Sequence, residues 1–366
     1  MVIKSASKVE HIIEPGNKIG MLGLCPDPEG LIKNNNFIDL NILQPLIQNS
    51  VLSSDFFTSD MLVELCKVAA YLQLKRFSTN DILNDKILAA AFFEPSTRTR
   101  LSFESAMLHL GGRTLSVVDA ATTGIAKGES LQDIGQMFNS YTDIIVVRHT
   151  EQKAIQELSK YLRIPLINGG NGSDEHPTQA LADWYSLLKW KPSLAYDTLR
   201  EHERLHIGIV GTPGNMRTVK SFLLLALLFK NNIRKITIIS EMADPLGPEV
   251  QEFCDASPVS IEIGYNLQEV VKDLDIIYQN TIAYIGDGYR KLGTQFKLSA
   301  DSKLKKDTVI LHPLARGAEL DTNLDDTDHN LYFNQADGAV FIRQALLMAI
   351  FDRLKDVIPR ELLKKE

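Results

Sequence analysis

Short apolar runs alternate with helical patterns along the first half of the chain. The runs at residues 87–92, 143–147 and 165–167 are bounded by polar residues, as buried parallel strands are. Helical patterns such as those at 130–141 and 179–188 lie between and after these runs. Strands and helices that alternate in this way predict an α/β domain built on a parallel sheet.

The same alternation starts again at His206 and predicts a second α/β domain. Its predicted strands are the apolar runs at residues 206–211, 235–240, 259–263, 275–278 and 308–311. The pattern at 340–354 is apolar on nearly all sides, which predicts a buried final helix. We therefore predict an α/β protein with two doubly wound parallel-sheet domains and a C-terminal helix.

The length of the chain also favours two domains, because 366 residues exceed the usual size of one hydrophobic core. The halves meet near residues 184–202, where the pattern predicts a long helix and a polar linker. We therefore assign residues 50–190 to the first domain, together with the final helix over 340–366, and residues 191–339 to the second. The Gly, Pro and Asn content of residues 1–49 predicts a mostly irregular arm.

Composition narrows the class of protein without identifying it. The formal net charge is −7 and the basic residues near the motifs are isolated, so we expect no nucleic-acid partner. No apolar run approaches the roughly 20 residues that span a bilayer, and the N-terminus lacks a signal-type apolar block. We therefore expect a cytoplasmic protein without a membrane partner. Cys25, Cys66 and Cys254 match neither a disulfide framework nor a metal-ligand pattern.

The clearest chemical signal is FFEPSTRTRLSFESAML at residues 92–108. Ser96 follows a predicted strand and opens a helical pattern, so it lies at a helix N-terminus. There the first backbone N–H groups lack intrahelical acceptors and the helix dipole favours negative charge. The hydroxyls of Ser96, Thr97 and Thr99, with one guanidinium, would complete a phosphate site. For this segment alone, an ordinary helix cap with solvated arginines is the alternative interpretation.

Other polar side chains stand at the ends of predicted strands. Arg148 ends one strand and His176 follows the next, so both can meet Ser96 at the carboxyl edge of a parallel sheet. Without these companions, His176 before Pro177 would be interpreted as a solvated residue at a helix start.

The segment GIVGTPGN at residues 208–215 does not fit a dinucleotide-binding turn, because a G-x-G-x-x-G pattern ending at Gly214 needs glycine where Ile209 stands. Arg217 follows in the first turn of a predicted helix, where its charge opposes the helix dipole. A bound carboxylate would neutralise that charge, whereas a solvated arginine is the alternative.

Five motifs, in this order, resemble those of the aspartate and ornithine carbamoyltransferases: STRT at 96–99, AKGESLQD at 126–133, VVRH at 146–149, HPTQALAD at 176–183 and HPLAR at 312–316. The Glu-Pro pair before STRT and the HPTQ segment are similar to the aspartate branch more than to the ornithine branch. The resemblance runs from about residue 51 to the final helix. It implies that this helix packs back on the first domain.

The resemblance implies an enzyme that uses carbamoyl phosphate as its donor. The residues that it implies for the donor site, several of them catalytic, are Ser96, Thr97, Arg98, Thr99, Lys127, Arg148, His176, Gln179, Pro313 and Leu314. Within that set, Thr99, Arg148 and His176 would donate to the carbonyl oxygen. Gln179 and the backbone carbonyls of Pro313 and Leu314 would accept from the carbamoyl NH2 group. The leaving phosphate can take the proton of the amine, so no cofactor, metal or separate base is implied.

The resemblance also implies an acceptor site and an assembly. Arg217, followed by Thr-Val, resembles the turn that holds the carboxylate of the acceptor, and Leu314 borders the same site. Lys127 belongs to a loop that enters the neighbouring subunit in this family. The resemblance therefore implies a homotrimer with shared active sites, whereas it identifies no regulatory subunit.

Several positions depart from the family pattern, among them Gly214-Asn215 in place of a Lys-Tyr pair and Thr123 in place of a serine. Aspartate carbamoyltransferases typically carry a T-R-x-Q string after the strand that here reads IIYQ, and Thr281 and Ala283 stand where its arginine and glutamine would fall. Loss of a guanidinium that faces a carboxylate should cost several kcal/mol of binding. Ala315 replaces a proline that is cis in relatives, which predicts either a retained cis bond or a relaxed loop.

The named activity that the resemblance implies is carbamoylation of L-aspartate to N-carbamoyl-L-aspartate in pyrimidine biosynthesis. The change at Thr281 and Ala283 leaves a different amino-acid or diamine acceptor as an alternative. The other alternative is a catalytically silent homologue that serves as an assembly or binding subunit. The intact residues Arg98, Arg148, His176 and Gln179 argue against silence.

Overall fold

Two parallel sheets organise the chain. The computed structural model describes residues 22–33, 37–75, 81–118, 128–196, 198–280 and 294–364. Within these ranges, one sheet has four strands and the other has five, and the strand pairs in both are parallel. The predicted fold class, with two parallel-sheet α/β domains and a C-terminal helix, is confirmed.

The first sheet contains three strands that the apolar runs predicted and one that they did not. Its strands are β1 (Ile87–Phe92), β2 (Arg113–Val117), β3 (Ile144–His149) and β4 (Leu166–Asn171), in the spatial order β2-β1-β3-β4. Its helices are α1 (Ser59–Leu74), α2 (Thr97–His109), α3 (Leu131–Tyr141), α4 (Ala154–Ser159) and α5 (Pro177–Trp190). β2 lacks an apolar run because it is an edge strand with mostly exposed side chains.

The second sheet contains the five strands predicted after His206, each within a few residues of its apolar run. They are β5 (Leu205–Val210), β6 (Ile233–Ile239), β7 (Ser260–Gly264), β8 (Ile276–Gln279) and β9 (Val309–Leu311), in the order β7-β6-β5-β8-β9. The helices of this half are α6 (Ser193–Tyr196), α7 (Arg217–Leu228), α8 (Gly247–Asp255) and α9 (Leu267–Val270).

The final helix, α10, spans Tyr332–Ile350, so the bounds predicted for it were wrong at both ends. Its first turns carry buried polar residues such as Asn334 and Gln335, which hid the helix from an apolar pattern. It ends at Ile350, and the described residues beyond it include two short 3-10 helices, Leu354–Asp356 and Arg360–Leu362. α10 packs against α1, α2 and α5 of the first half, as the resemblance implied. Within the described ranges, no helix is long and apolar enough to cross a membrane.

The described part of the N-terminal segment is docked rather than free. It forms short 3-10 helices at Pro28–Leu31 and Leu40–Leu46, whose buried leucines join the main hydrophobic core. These turns contact α1 and α10. Ile38 pairs with Leu363 near the C-terminus. The segment therefore ties the two ends of the described chain together.

A stack of aromatic rings joins the two halves where α5 packs on α7. Trp184 of α5 stacks on Phe229, with ring centroids 4.3 Å apart, and lies 5.8 Å from the ring of Phe222 in α7. Phe222 in turn stacks on Tyr278 of β8 at 4.1 Å. One hydrophobic cluster therefore runs from the first sheet through both helices into the second sheet.

Candidate active site

Residues from both halves line one cleft of about 990 Å³ beside the carboxyl ends of β1, β3 and β4. The structure brings together here all the predicted site residues of the described ranges, namely Ser96, Thr97, Arg98, Thr99, Arg148, His176, Gln179, Arg217, Pro313 and Leu314. Lys127, Thr281 and Ala283 lie outside the described residues. The cleft is the natural binding position in an open parallel sheet.

The STRT segment forms the turn between β1 and α2. β1 ends at Phe92 and α2 begins at Thr97, with Ser96 as the N-cap residue. The Ser96 hydroxyl makes no capping hydrogen bond, so the ordinary-cap interpretation does not describe it. The first N–H groups of α2 lack intrahelical acceptors, and Thr97 and Arg98 line the cleft beside them. This helix end fits an anion.

Thr99 and His176 form a buried pair at the base of the cleft. The Oγ1 of Thr99 lies 3.1 Å from Nε2 of His176, and the backbone N–H of His176 donates to the Ser221 hydroxyl at 2.9 Å. Burial, and then the charges of Arg148 and Arg217, lower the pKa of His176 well below its usual value. His176 is therefore a neutral imidazole at physiological pH, able to donate one N–H to a carbonyl oxygen.

Arg148 and Arg217 meet on the carboxylate of Glu94. Arg148 Nη2 donates to Glu94 Oε1 at 3.0 Å, and Arg217 donates to both carboxylate oxygens at 2.9 and 3.0 Å. Arg217 Nη1 also donates to the carbonyl of Gly172 at 2.6 Å. Arg217 begins α7, and Arg148 lies in β3, so Glu94 links the two halves across the cleft.

This arrangement sets the charges of the site. Partial burial raises the pKa of Glu94, but the hydrogen bonds and charges of Arg217 and Arg148 outweigh it, and the net pKa is lowered. Burial, together with the charge of Arg217, lowers the pKa of Arg148 to about 10. Both arginines and Glu94 are therefore charged at neutral pH. A substrate anion that binds either guanidinium must compete with Glu94.

Gln179 is oriented by a buried carboxyl group one helical turn along α5. Its Nε2 donates to Oδ1 of Asp183 at 2.8 Å, and Gln335 of α10 donates to the same oxygen. With the amide nitrogen engaged in this way, the amide oxygen of Gln179 is left to accept from a ligand. Asp183 itself is fully buried.

Pro313 and Leu314, in the loop after β9, line the cleft. The backbone N–H of Leu314 donates to Nδ1 of His312 at 2.8 Å, and Nε2 of His312 lies 3.0 Å from Glu319 Oε1. Since Nδ1 accepts, Nε2 carries the proton and donates to Glu319. The peptide bond between Leu314 and Ala315 is cis, which is the first of the two alternatives predicted at Ala315.

Several residues of the site were not singled out from the sequence. Glu94 could have been found as the carboxylate beside STRT, and Asp183 as the acid four residues after Gln179. No feature of the sequence indicated Lys220, although its buried amine forms ion pairs with Asp174 at 2.6 Å and Glu249 at 2.9 Å. In the described part of the chain, no cluster of three or more His, Cys, Asp or Glu side chains is arranged to hold a metal ion.

We expect Asp183 to make stability depend on pH. Burial raises its pKa to about 7, against about 3.9 in an unfolded chain. The folded state thus binds its proton more tightly, and the contribution of Asp183 to stability falls as the pH rises from about 4 to 7. The free energy of unfolding, measured with urea, should fall between pH 5 and 7 by on the order of 2 kcal/mol more in the wild type than in Asp183→Asn.

The comparison with Asp183→Asn is needed because His176 acts in the opposite direction. Its lowered pKa removes stability as the pH falls below about 6.5, and both proteins share this contribution. Parallel curves of unfolding free energy against pH for the two proteins would show that Asp183 does not titrate in this range.

Both halves of the chain match known domains of one enzyme family. Residues 49–189 match the carbamoyl-P binding domain of aspartate/ornithine carbamoyltransferases. Residues 203–350 match the Asp/Orn binding domain of the same family.

Individual relatives and solved structures agree with these matches. The aspartate carbamoyltransferase catalytic subunit of Pyrobaculum islandicum is 36% identical over 306 residues, which cover 82% of this chain and 97% of that protein. The corresponding subunit of Clostridium novyi is 34% identical over 74% of this chain and 87% of its own length. The aspartate transcarbamoylase of Trypanosoma cruzi in complex with N-(phosphonacetyl)-L-aspartic acid is 28% identical, with a TM-score of 0.74, over 85% of this chain and 98% of that one. The chain therefore belongs to the aspartate/ornithine carbamoyltransferase family and is a carbamoyltransferase.

Proposed function

We propose that this enzyme transfers the carbamoyl group of carbamoyl phosphate to the α-amino group of an amino acid, with L-aspartate as the first candidate acceptor. The products are then N-carbamoyl-L-aspartate and phosphate, as in pyrimidine biosynthesis. The observation that carries the proposal is the meeting of Arg148 and Arg217 on Glu94. Arg148 belongs to the donor side and Arg217 to the acceptor side, so the groups that bind the two substrates lie within the span of one carboxylate.

The donor side supplies fixed hydrogen-bond donors for the reaction. The phosphate lies at the start of α2, and the carbonyl oxygen of the donor accepts from Thr99, Arg148 and His176. Burial of the His176 ring disfavours its charged form. The neutral ring can still donate an N–H to this oxygen. Gln179, held by Asp183, accepts from the carbamoyl NH2 group.

The acceptor side aims the amine at the carbamoyl carbon. Arg217 holds the α-carboxylate of the amino acid in place of Glu94, which fixes the position of the neighbouring amine. The amine nitrogen attacks the carbamoyl carbon, and the bond from that carbon to the phosphate oxygen breaks. The departing phosphate takes the proton that the amine loses.

A different amino-acid or diamine acceptor is the second candidate, favoured by Thr281 and Ala283 in place of the arginine and glutamine of relatives. Asn280 and Thr218, which are joined by a hydrogen bond of 2.7 Å, line the acceptor side of the cleft. Among the described residues of that wall, only Arg217 is positively charged. This wall suits an acceptor whose side chain is neutral or cationic.

If the second candidate is correct, aspartate is a poor acceptor, and its use improves when the missing groups are restored. Thr281→Arg with Ala283→Gln should raise kcat/KM for aspartate on the order of ten- to a hundredfold, because a guanidinium on a carboxylate is worth about 1.5 to 3 kcal/mol. The measurement is phosphate release and product mass over a panel of amines. Thr281→Gln with Ala283→Gln, which adds no charge, is the matched control.

The same panel tests the proposal as a whole. An aspartate KM of the wild type in the usual range of about 1 μM to 1 mM, with efficient turnover, would contradict the acceptor prediction. Arg290 or Lys291 would then be the residues to replace. If none of the amines in the panel supports phosphate release, the silent homologue is the better description.

For the assembly, we propose a homotrimer in which Lys127 of one subunit enters the site of the next. Large apolar side chains are exposed on α2, at and just beyond the edge strand β2, and on α3, namely Leu108, Leu115, Val118, Met137 and Tyr141. Val118 directly precedes the segment that carries Lys127. Apolar surface next to that segment supports a contact between copies of the chain.

Two inactive variants should therefore restore activity to each other. Mixed trimers of Lys127→Ala and His176→Ala contain some sites in which both residues are intact, so activity should reappear when subunits exchange. The measurement is turnover after mixing, with each variant alone as the control. If subunit exchange is demonstrated and activity stays absent, each subunit contains a complete site. A monomer by light scattering would also contradict the shared site.

A further inference from the structure

A second cavity, of about 300 Å³, lies beside the cleft between α2 and the first half of α10. Its walls are mostly apolar and include Leu101, Ala339 and Val340. Five residues border both this cavity and the cleft, namely Thr97, Arg98, Gln179, Pro313 and Leu314. Its size falls at the lower end of pockets that hold small molecules.

One side chain of this cavity, Arg343, is a buried cation that forms no ion pair with any carboxylate of the described residues. It is 2% exposed, and its hydrogen bond within the described chain is from Nη1 to the hydroxyl of Ser102. Its Nε has no hydrogen-bond partner there, and no carboxylate of the described residues forms an ion pair with it. The ring of Phe103 lies 4.8 Å from the guanidinium.

A guanidinium buried in this way is costly unless an anion pairs with it. Burial lowers the pKa of Arg343 to about 9, although the charge of Asp183 opposes the shift, so Arg343 is still a cation at neutral pH. Apolar walls around a cation suit a ligand that carries one negative charge on an apolar body. If Arg343 had only a structural role, close packing would be expected around it, whereas an open cavity lies beside it.

We propose that this cavity binds a small organic anion, a carboxylate or phosphate ester with an apolar group, whose charge pairs with Arg343 and Arg98. The apolar group then lies against Leu101, Ala339 and Val340. Because Arg98 also borders the donor site, the bound anion draws its guanidinium away from carbamoyl phosphate. This regulatory consequence rests on the proposed function, whereas the binding itself does not.

A second connection links the cavity to the donor site. The Ser102 hydroxyl that accepts from Arg343 also lies 3.0 Å from the carbonyl of Thr99, to which it donates. An anion that moves Arg343 therefore acts on the first turn of α2. Carbamoyl phosphate and the anion should weaken the binding of each other by the same factor.

Binding can be measured by calorimetry on the intact protein without any turnover. Benzoate and phenyl phosphate are the probes, and benzamide is the neutral control of similar shape. We expect benzoate to bind the wild type and benzamide not to bind. Arg343→Met and the cavity-filling Ala339→Leu should each lower the affinity for benzoate at least tenfold. Arg353→Met is the matched control, because Arg353 is a partly exposed arginine just beyond α10.

The outcomes separate this proposal from the proposed function. Unchanged benzoate affinity in both Arg343→Met and Ala339→Leu, or its loss in Arg217→Met instead, would place the anion in the main cleft and overturn the proposal. Equal binding of benzamide would overturn the requirement for charge. If Arg343→Met does not fold, Ala339→Leu decides. In the wild type, benzoate should raise the KM for carbamoyl phosphate, and Arg343→Met should abolish that rise.

Discussion

Arg148→Met should lower kcat/KM for carbamoyl transfer by about three orders of magnitude. Arg148 would donate to both the phosphate and the carbonyl oxygen, and charge-assisted hydrogen bonds contribute about 1.5 to 3 kcal/mol each. Two of them together are worth roughly 4 kcal/mol, or about a thousandfold in rate. The measurement is steady-state kinetics with carbamoyl phosphate and the best acceptor of the panel.

The structure offers controls for this variant. Glu94 keeps both of its hydrogen bonds to Arg217 when Arg148 is replaced, so the melting temperature should change little. Arg148→Lys, which keeps the charge without the forked geometry, should recover part of the activity. Activity of Arg148→Met within tenfold of the wild type would remove Arg148 from the donor site.

Arg98→Ala should lower kcat/KM by about a hundredfold, which corresponds to roughly 3 kcal/mol of transition-state stabilisation. Arg98 lies exposed at the start of α2 and makes no ion pair within the described residues, so its replacement should leave the stability unchanged. Kinetic constants and melting temperature, measured on the same preparation, separate the two effects.

Arg100→Ala is the matched control for Arg98→Ala. Arg100 stands two residues further along the same motif, but it pairs with Glu104 of α2 at 3.2 Å and does not line the cleft. Its replacement should change kcat/KM only a few-fold. Equal losses in both variants would indicate a general effect of positive charge near the cleft rather than a contact from Arg98.

The donor side could be predicted because its signals are local. The STRT segment joins an apolar strand to a helical pattern, and both the phosphate donors and their position follow from that junction. Arg148 and His176 follow from the rule that parallel strands end at one edge of their sheet. The strand β2 was missed since an edge strand needs no apolar run.

What could not be predicted depends on contacts between distant segments. Nothing near Glu94 in the sequence indicates that it holds Arg217, which lies more than a hundred residues away. The buried polar start of α10 has the same origin, because Gln335 is stabilised there by Asp183 and by the backbone of His312. Such residues look solvent-exposed by pattern, and only tertiary hydrogen bonds allow their burial.

The aromatic stack of Trp184, Phe222 and Tyr278 has a consequence for how the chain folds. Since the rings belong to one apolar cluster that spans both sheets, neither half can complete its core without the other. Unfolding of the two halves should therefore be one cooperative event, although each contains its own sheet. A chain cut between α6 and β5 would yield two fragments that regain their structure by associating, each covering the aromatic surface of the other.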